Sequence, residues 1–496
     1  MTSKAARSCT LLTTVLLASC AVGPNYVRPS APAPPAYKEA EGWIVAQPAD
    51  AAPRGDWWTV FNDPVLNQLE AQVEISNQNL AAAEAAYRQA RAAVAEQRAA
   101  LFPTVDLTGS AQRSKSSNVV SFPTTPTNGG GTGTTTTPVV SSGARNSFQL
   151  AVGASWEPDI WGQIRRQIEE AGAQAQASAA DLANARLSAQ STLAVDYISL
   201  RADDELKRLL DETVEGYQRS LKIAQNQYNA GITAKSDLLS AQSQLAGAQA
   251  QATDVGNQRA QMEHAIAVLT GKAPAELTIA PATSWTLAAP DAPLTVPSAL
   301  LQRRPDIAAA ERAVAAANAQ IGVQEAAYFP TVSLSGQYGV QSSAISNLFN
   351  ASSSFWSLGA NVAETLLDFG ARHARVQEAK AAYDQAVAQY RQTVLAAFQE
   401  VEDDLAAVRV LGQEIPYRTQ ASQAADQSEQ IALNQYRAGT TDYTTVVVAQ
   451  ALALSDRQSL LTTQSSRVAA ATQLITALGG GWDVTQPVTA GSRPAK

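Results

Sequence analysis

The amino-acid sequence predicts a mainly α-helical protein with a small β part, built from two copies of one structural repeat. Three observations lead to this fold class: one order of segments occurs twice, short stretches alternate apolar and polar residues, and long runs rich in Ala and Gln contain few helix breakers. Alternation with a period of two is typical of strands with one apolar face. Uninterrupted runs of strong helix formers indicate long helices.

The N-terminal residues have the pattern of a secretory signal peptide. Lys4 and Arg7 precede an uncharged, Leu-rich stretch that is too short to span a bilayer as a helix, so we expect residues 1–19 to be removed. The string LASC, which ends at Cys20, resembles a bacterial lipobox. That resemblance implies an S-diacylglycerol and an N-palmitoyl chain on Cys20, and Ala21 in place of an Asp favours the outer membrane. A plain leader with a chance cysteine is the alternative.

Composition argues against several classes of protein. The net charge is −8 and no run of Lys or Arg occurs, so we expect no nucleic-acid partner. The chain has only two histidines, His264 and His373, and no metal-spaced cluster or phosphate-binding glycine loop. We therefore expect no enzyme activity, no metal and no cofactor besides the covalent lipid.

Two pairs of strings reveal the duplication. NLAAAEAAYRQARAAVAEQRAALFPTVDLTG begins at Asn79 and matches, without a gap, DIAAAERAVAAANAQIGVQEAAYFPTVSLSG, which begins at Asp306. Further along, YNAGITAKSDLLSAQ matches YRAGTTDYTTVVVAQ, so that Gly231 aligns with Gly439. Repeats of this kind indicate two equivalent structural units.

The duplication divides the chain into segments. In order, these are the signal peptide at 1–19, an extended segment at 20–63, a first repeat at 64–271, a linker at 272–304, a second repeat at 305–480 and a tail at 481–496. Each repeat should contain a helix, a strand pair, a long helix and a return helix. The predicted ranges are 64–101, 103–161, 162–229 and 235–271 in the first repeat, and 305–328, 331–369, 370–437 and 443–478 in the second.

Two segments depart from this regular order of helices and strands. The Thr-, Gly- and Pro-rich stretch at 116–145 is expected to be an external loop, because it cannot pack a core. Pro416 is expected to kink or interrupt the second long helix.

The four strands are candidate membrane segments. Val105, Leu107, Gly109 and Ala111 alternate with polar residues, and the other three strands repeat this pattern over about ten residues, which suits a transmembrane β-barrel. A soluble sandwich with one buried face is the alternative. Because four strands are too few to close a barrel wide enough for transport, several chains would have to share one.

Seven strings, read in order, resemble the TolC-like outer membrane factors, in particular the NodT/OprM-like lipoprotein branch that serves resistance-nodulation-division pumps. They are GPNYVRP, DWWTVFNDPVLNQLE, WEPDIWGQIRRQIE, RRPDIAAAE, YFPTVSLSG, YRAGTTDYTTVVVAQ and ALGGGW. The resemblance implies a homotrimer whose strands form a twelve-stranded barrel above a tunnel of coiled-coil helices that extends into the periplasm. It also implies outer-membrane lipid, a periplasmic adaptor and an inner-membrane pump as partners.

The resemblance also implies where such a tunnel closes. The helix turns at Gly231 and Gly439 would form its tip. The residues matching the family's latch are Asp237, Tyr436, Ser236 and Thr441, and those matching its aperture lining are Thr444, Thr445 and Val448. A hydrogen bond from the Tyr436 hydroxyl to the Asp237 carboxylate is expected.

This chain departs from the family at the aperture. Relatives often carry carboxylates where this sequence has Thr445 and Val448, and some carry an Arg in place of Thr441. We therefore expect weaker cation selectivity, and weaker block by multivalent cations, than in acidic relatives. Single-channel recording in planar bilayers checks this expectation, which strong cation selectivity arising at this level would contradict.

The function implied is passive conduction of substrates through the outer membrane as part of a tripartite efflux system. Type I protein secretion and a structural lipoprotein that only spans the periplasm are the alternatives. Amphipathic strands favour a conduit, because a spacer needs no lipid-facing apolar surface. The identity of the substrate does not follow from this sequence.

Overall fold

A computed structural model describes residues 21–31, 34, 36–39, 56–115, 144–284, 288–290 and 304–480. Cys20 and the signal peptide lie outside the described residues, as do the tail at 481–496 and nearly all of the predicted loop at 116–145. The described chain is mostly helical and contains one small sheet, so the predicted fold class is confirmed.

Seven helices and four strands occur in the described residues, beside short 3-10 turns. They are α1 (Pro64–Ser76), α2 (Gln78–Ala99), β1 (Thr104–Ser114), β2 (Arg145–Trp156), α3 (Gln163–Asn229), α4 (Lys235–Leu269), α5 (Pro305–Ala326), β3 (Thr331–Ser342), β4 (Ser354–Ala363), α6 (Ala371–Arg437) and α7 (Tyr443–Ala477). The two long helices, α3 and α6, each have 67 residues. In the part of the chain just defined, no helix combines the length and the apolar character that a membrane span requires.

The chain divides into two compact units. Among the described residues, the first comprises 21–26, 92–115, 144–171 and 317–381, and contains the sheet. Its four strands are antiparallel and lie in the order β1-β2-β3-β4. Each repeat therefore supplies one hairpin, and pairing of β2 with β3 joins the two hairpins.

The second unit contains the principal apolar core, in which α1 packs against α3 and α4. Its largest buried side chains include Trp57, Trp58, Leu66, Leu69, Val73, Leu193, Tyr197, Leu200 and Ile266. The Tyr197 hydroxyl donates a hydrogen bond to Asp63 Oδ2 at 2.7 Å. The other Asp63 oxygen caps α1, because it accepts from the N–H groups of Val65 and Leu66.

The first helix predicted for the first repeat is in fact two helices. Asn77 adopts an extended conformation between α1 and α2. Its side-chain oxygen accepts from the N–H groups of Asn79 and Leu80, while its amide donates to the carbonyl of Leu269 at 2.8 Å. Asn77 therefore starts a new helix and connects it to the end of α4, because short polar side chains can replace the backbone bonds that a continuous helix would make.

Pro416 does not interrupt the second long helix, since α6 continues through this residue from Ala371 to Arg437; a kink at Pro416 stays a prediction. Proline removes one backbone donor and crowds the carbonyl four residues earlier. That earlier residue is Gly412, which packs so closely on Arg467 of α7 that a Cβ there would lie 3.3 Å from Nε. Because most of the stability of helices in proteins comes from tertiary packing, one unfavourable residue does not end this 67-residue helix.

Gly271, which follows α4, provides a stability test. Its φ is +69°, and a Cβ there would lie 2.1 Å from the carbonyl oxygen of Ser76. Gly231 has a similar φ of +66° but nothing within 4 Å. Gly231→Ala should cost about 1 kcal/mol, from left-handed strain alone, whereas Gly271→Ala should cost about 3 kcal/mol because the backbone must also move. Thermal unfolding followed by circular dichroism compares the two variants, and equal losses would contradict the close contact.

Candidate functional site

The two helix turns adopt the same backbone geometry. Gly231 and Gly439 both have positive φ, at +66° and +72°. In the first turn the N–H of Ile232 donates to the carbonyl of Gln227 at 2.9 Å, and in the second the N–H of Thr440 donates to the carbonyl of Gln435 at 3.0 Å. This six-residue hydrogen bond is a Schellman closure, for which glycine is favoured because it tolerates left-handed backbone.

An apolar cluster connects the two turns. The rings of Tyr436 and Tyr443 meet edge to face, with centroids 5.0 Å apart. The cluster takes buried residues from all four neighbouring helices: Ala224, Ala241, Ala432, Tyr436, Tyr443, Val446 and Ala449. The amide of Gln227 adds a hydrogen bond to the carbonyl of Tyr436 at 3.3 Å. The turns of both repeats are thus packed together within one chain.

The predicted hydrogen bond between Tyr436 and Asp237 is not present. Tyr436 is only 2% exposed, and its hydroxyl has no hydrogen-bond partner. The pKa of Tyr436 is raised, mainly by burial and secondarily by the charge of Asp237. The nearby Thr233 hydroxyl lowers this pKa, although it is not placed to form a hydrogen bond with the tyrosine. Asp237 is therefore close enough to affect the pKa of Tyr436 but makes no hydrogen bond to its hydroxyl, and the ring packs edge to face on Tyr443.

The other two predicted latch residues make local contacts. Ser236 Oγ donates to Asp237 Oδ1 at 3.4 Å, and the Thr441 hydroxyl donates to Thr445 Oγ1 at 3.2 Å. Neither contact joins one repeat to the other. Within this chain the apolar cluster and the hydrogen bond from Gln227 to Tyr436 connect the turns. Among the described residues, Ser236, Asp237 and Thr441 make no hydrogen bond from one turn to the other.

The predicted aperture residues share one exposed face at the start of α7. Thr444, Thr445 and Val448 are all exposed, and this face presents hydroxyl and methyl groups. The exposed carboxylate of Asp442 lies just before the helix and makes no capping bond. The role of this face as an aperture lining stays a prediction.

A second site lies at the base of the sheet, where the two repeats meet. The rings of Trp161 and Phe329 are stacked, with centroids 4.9 Å apart and planes at 22°. Trp161 Nε1 also donates to the carbonyl of Pro330 at 2.7 Å. The junction between β2 and β3 thus ends in an aromatic contact, a type that stabilises beyond its buried area.

The N-terminal segment is anchored beside this junction. The N–H of Val22 donates to the carbonyl of Trp161 at 3.0 Å. Arg166 donates to the carbonyls of Val22 and Gly23 and to Asn25 Oδ1. The residues that directly follow the predicted lipidation site are therefore bound to the folded protein.

Sequence reasoning missed one unusual side chain, Glu70 on α1. Glu70 is 0% exposed and neither carboxylate oxygen has a hydrogen-bond partner. Burial, and secondarily the charge of Glu74, raises the pKa of Glu70 to about 9. A signal for it existed, because helical spacing puts Glu70 on the same face as Leu66, Leu69 and Val73. Over the described ranges, no group of three His, Cys, Asp or Glu residues is arranged to hold a metal ion.

Comparison with known proteins agrees with this architecture. The antibiotic efflux pump outer membrane protein ArpC of Pseudomonas putida is 30% identical over 95% of this chain and 94% of its own length. The toluene efflux pump outer membrane protein TtgC of Pseudomonas putida matches with the same identity and coverage. Among solved structures, the outer-membrane channel OprN is 30% identical, with a TM-score of 0.83 over 93% of this chain and 100% of OprN.

The sequence model of one family, described as outer membrane efflux protein, matches residues 69–272 and 296–480. These two ranges correspond closely to the two repeats and together cover well over half of the sequence. The chain belongs to the outer membrane efflux protein family.

Proposed function

We propose that this chain is the outer-membrane channel subunit of a tripartite efflux system, passively conducting substrates that an inner-membrane pump and a periplasmic adaptor deliver. One observation carries the proposal: the duplicated arrangement of strand pair, long helix, turn and return helix matches efflux channels along almost the whole chain. The apolar strand side chains Leu107, Val152, Tyr338 and Leu358 are exposed in the chain. This exposure supports a lipid-facing role and disfavours a simple spacer.

The working assembly in this proposal is a homotrimer. Three copies would place their twelve strands in one closed barrel, and the helices would form a tunnel below it. Edge strands support this assembly, because β1 and β4 each pair with a single neighbour in the described sheet. Unpaired strand edges favour association with further strands.

The proposal includes a lipid on Cys20. The string LASC supports it, as does the attachment of residues 22–25 through Arg166. A thiol-linked diacylglycerol and an N-linked acyl chain would anchor the chain in the membrane, because two or more chains bind a bilayer firmly. The mass of the mature N-terminal peptide tests this part of the proposal.

The cargo is set by the pump in this proposal, not by the channel. Two relatives that match equally well are named for antibiotics and for toluene. A channel sequence that fits both names equally carries no evident specificity. We therefore propose small molecules as the class of substrate and name no single compound.

Deletion of the gene tests the function. Loss of the channel should lower the inhibitory concentration of at least one toxic small molecule severalfold and increase retention of a fluorescent efflux substrate, and a plasmid copy should restore both. Unchanged susceptibility and retention, in a strain without another channel of this family, would contradict efflux. Loss of a secreted protein instead would point to type I secretion.

A further inference from the structure

We propose that Arg467 on α7 forms an oxyanion-binding site, whose ligand is a carboxylate or phosphate group from outside the described helices. The ligand does for the second repeat what the carboxylate of Asp204 does for the first. The site lies towards the end of α7 that is far from the helix turn, and it does not depend on the cargo of the channel.

The first repeat shows how an arginine at this position is used. Arg259 on α4 donates from Nε to Asp204 Oδ1 at 2.6 Å and from Nη1 to Glu263 Oε2 at 3.0 Å. Arg201 on α3 donates to the other oxygen of Asp204 at 2.9 Å. Hydrogen bonds between ionised groups are stronger than those between neutral groups. The carboxylate of Asp204 therefore connects α3 to α4 and is shared by two guanidinium groups.

The second repeat keeps the basic residues of this network and lacks the acidic ones. The offset of 208 residues that aligns Gly231 with Gly439 aligns all four positions. The aligned pairs are Arg201 and Arg409, Arg259 and Arg467, Asp204 and Gly412, and Glu263 and Ala471. An arginine that binds two carboxylates in one repeat thus has neither of them in the other.

The guanidinium of Arg467 lies against α6 at the position of the lost carboxylate. A Cβ on Gly412 would be 3.3 Å from Arg467 Nε and 3.6 Å from its Nη2. Nε is buried and has no hydrogen-bond partner. Among the described residues, no acidic side chain forms an ion pair with Arg467. Because the side chain is half-buried, its charge has lost part of its hydration without gaining a counter-ion, which costs free energy.

A second guanidinium adds positive charge to this region. Arg409 lies about one helical turn before Gly412 on α6. One of its terminal nitrogens pairs with Glu39, whereas its Nε is buried and has no hydrogen-bond partner. Arginine stays charged at physiological pH and carries five N–H donors. The two arginines together have one carboxylate, where their counterparts in the first repeat have two.

The shape of the free group indicates the class of ligand. Gly412 lies against the Nε side of Arg467, so the terminal nitrogens are the donors that a ligand can reach. A planar guanidinium matches the paired oxygens of a carboxylate or a phosphate, and it binds such groups with two parallel hydrogen bonds. Chloride offers no such pair of acceptors. The site should therefore prefer oxyanions over halides.

Two sources supply this chemistry. One is a free anion from solution, and the other is the carboxylate of Asp483, which lies outside the described residues in the tail. We assign the site to the free anion, because the side chain of Arg467 is partly accessible to solvent. An anion bound there would link α7 to the positive charges near Gly412, as Asp204 links the two helices of the first repeat.

Anion titration of the purified full-length protein in detergent tests the site. When phosphate or acetate replaces chloride at constant ionic strength, the natural protein should unfold at a temperature higher by about 2 °C, because a ligand stabilises the state that binds it. Arg467→Gln should abolish this shift. Arg467→Lys keeps the charge without the planar fork, and it should lower the apparent phosphate affinity at least tenfold. Circular dichroism verifies that both variants are folded.

A carboxylate placed inside the chain provides the converse test. Gly412→Asp restores the acid of the first repeat, and Gly412→Asn is its matched control, with nearly the same shape and no charge. Both changes replace a helical glycine, so their effects on helix propensity nearly cancel in the comparison. Gly412→Asp should unfold at a higher temperature than Gly412→Asn and should lose the response to phosphate, which Gly412→Asn should keep.

The outcomes separate the site from its source. If Asp483→Asn responds to phosphate and the natural protein does not, the site is supported and the tail is its source. An equal response of the natural protein and Arg467→Gln would overturn the proposal, because phosphate would then bind elsewhere. The proposal also fails if no variant responds and Gly412→Asp is no more stable than Gly412→Asn.

Discussion

Glu70→Gln should make the protein more stable than the natural chain at alkaline pH, by an amount that grows with pH. Glu70 is fully buried without a hydrogen bond, and its pKa is raised to about 9. The folded state therefore holds the proton that the unfolded chain releases near its ordinary pKa of about 4.5. The stability contributed by protonated Glu70 is fully present below the pKa of the unfolded chain. It declines as the pH rises towards the pKa of the folded state.

The dependence of the unfolding free energy on pH sets the size of the difference between the two proteins. One proton linked to folding changes the free energy of unfolding by about 1.4 kcal/mol per pH unit, so the loss between pH 5 and pH 8 approaches about 4 kcal/mol. Glutamine has nearly the shape of a protonated glutamate and does not titrate. The difference between the two proteins should therefore be small at pH 5 and large at pH 8.

Thermal unfolding from pH 5 to pH 9, followed by circular dichroism, measures this difference. Other groups with raised pKa values, such as Asp203 and Asp404, are present in both proteins and cancel in the comparison. Glu74→Gln is the matched control, since Glu74 is half-exposed and contributes only the secondary cause of the shift. A constant difference across this range would show that Glu70 is ionised in the folded protein.

The sequence patterns predicted the positions of helices and strands more accurately than they predicted the contacts between them. The Ala-Gly steps at 230–231 and 438–439 predicted the ends of both long helices, because glycine closes a helix by local backbone geometry. The break at Asn77 was not evident, since its cause includes a bond to Leu269, distant in sequence. The local signal at Pro416 was also insufficient, because α6 continues through this exposed proline.

At the candidate site, too, backbone geometry was predictable from the sequence and side-chain contacts were not. The duplication aligned Gly231 with Gly439, and their backbone geometry proved equivalent. The partner of Tyr436 depends on how four helices pack, and a one-dimensional pattern does not determine the direction of a side chain across such a cluster. An apolar contact with Tyr443 took the place of the expected carboxylate.

If these turns form the proposed aperture, Tyr436→Phe should leave the conductance of the channel near that of the natural protein, whereas Tyr436→Ala should increase it severalfold. The phenylalanine keeps the ring that packs on Tyr443 and removes only a buried hydroxyl without a hydrogen bond, a change that is neutral or stabilising. The alanine removes the ring from the cluster that connects the two turns. Loss of a large buried aromatic side chain costs about 3 to 5 kcal/mol.

Single-channel recording in planar bilayers compares these variants, and circular dichroism verifies that each remains helical. Tyr228→Ala is the matched control, because Tyr228 is the counterpart of Tyr436 in the first repeat but is substantially exposed. We expect the control to have nearly natural conductance. If Tyr436→Phe opened the channel as much as Tyr436→Ala, the hydroxyl would be responsible for closure, and the bond to Asp237 would have to form in the assembled channel. If only Tyr436→Ala opens it, packing of the ring holds the turns together.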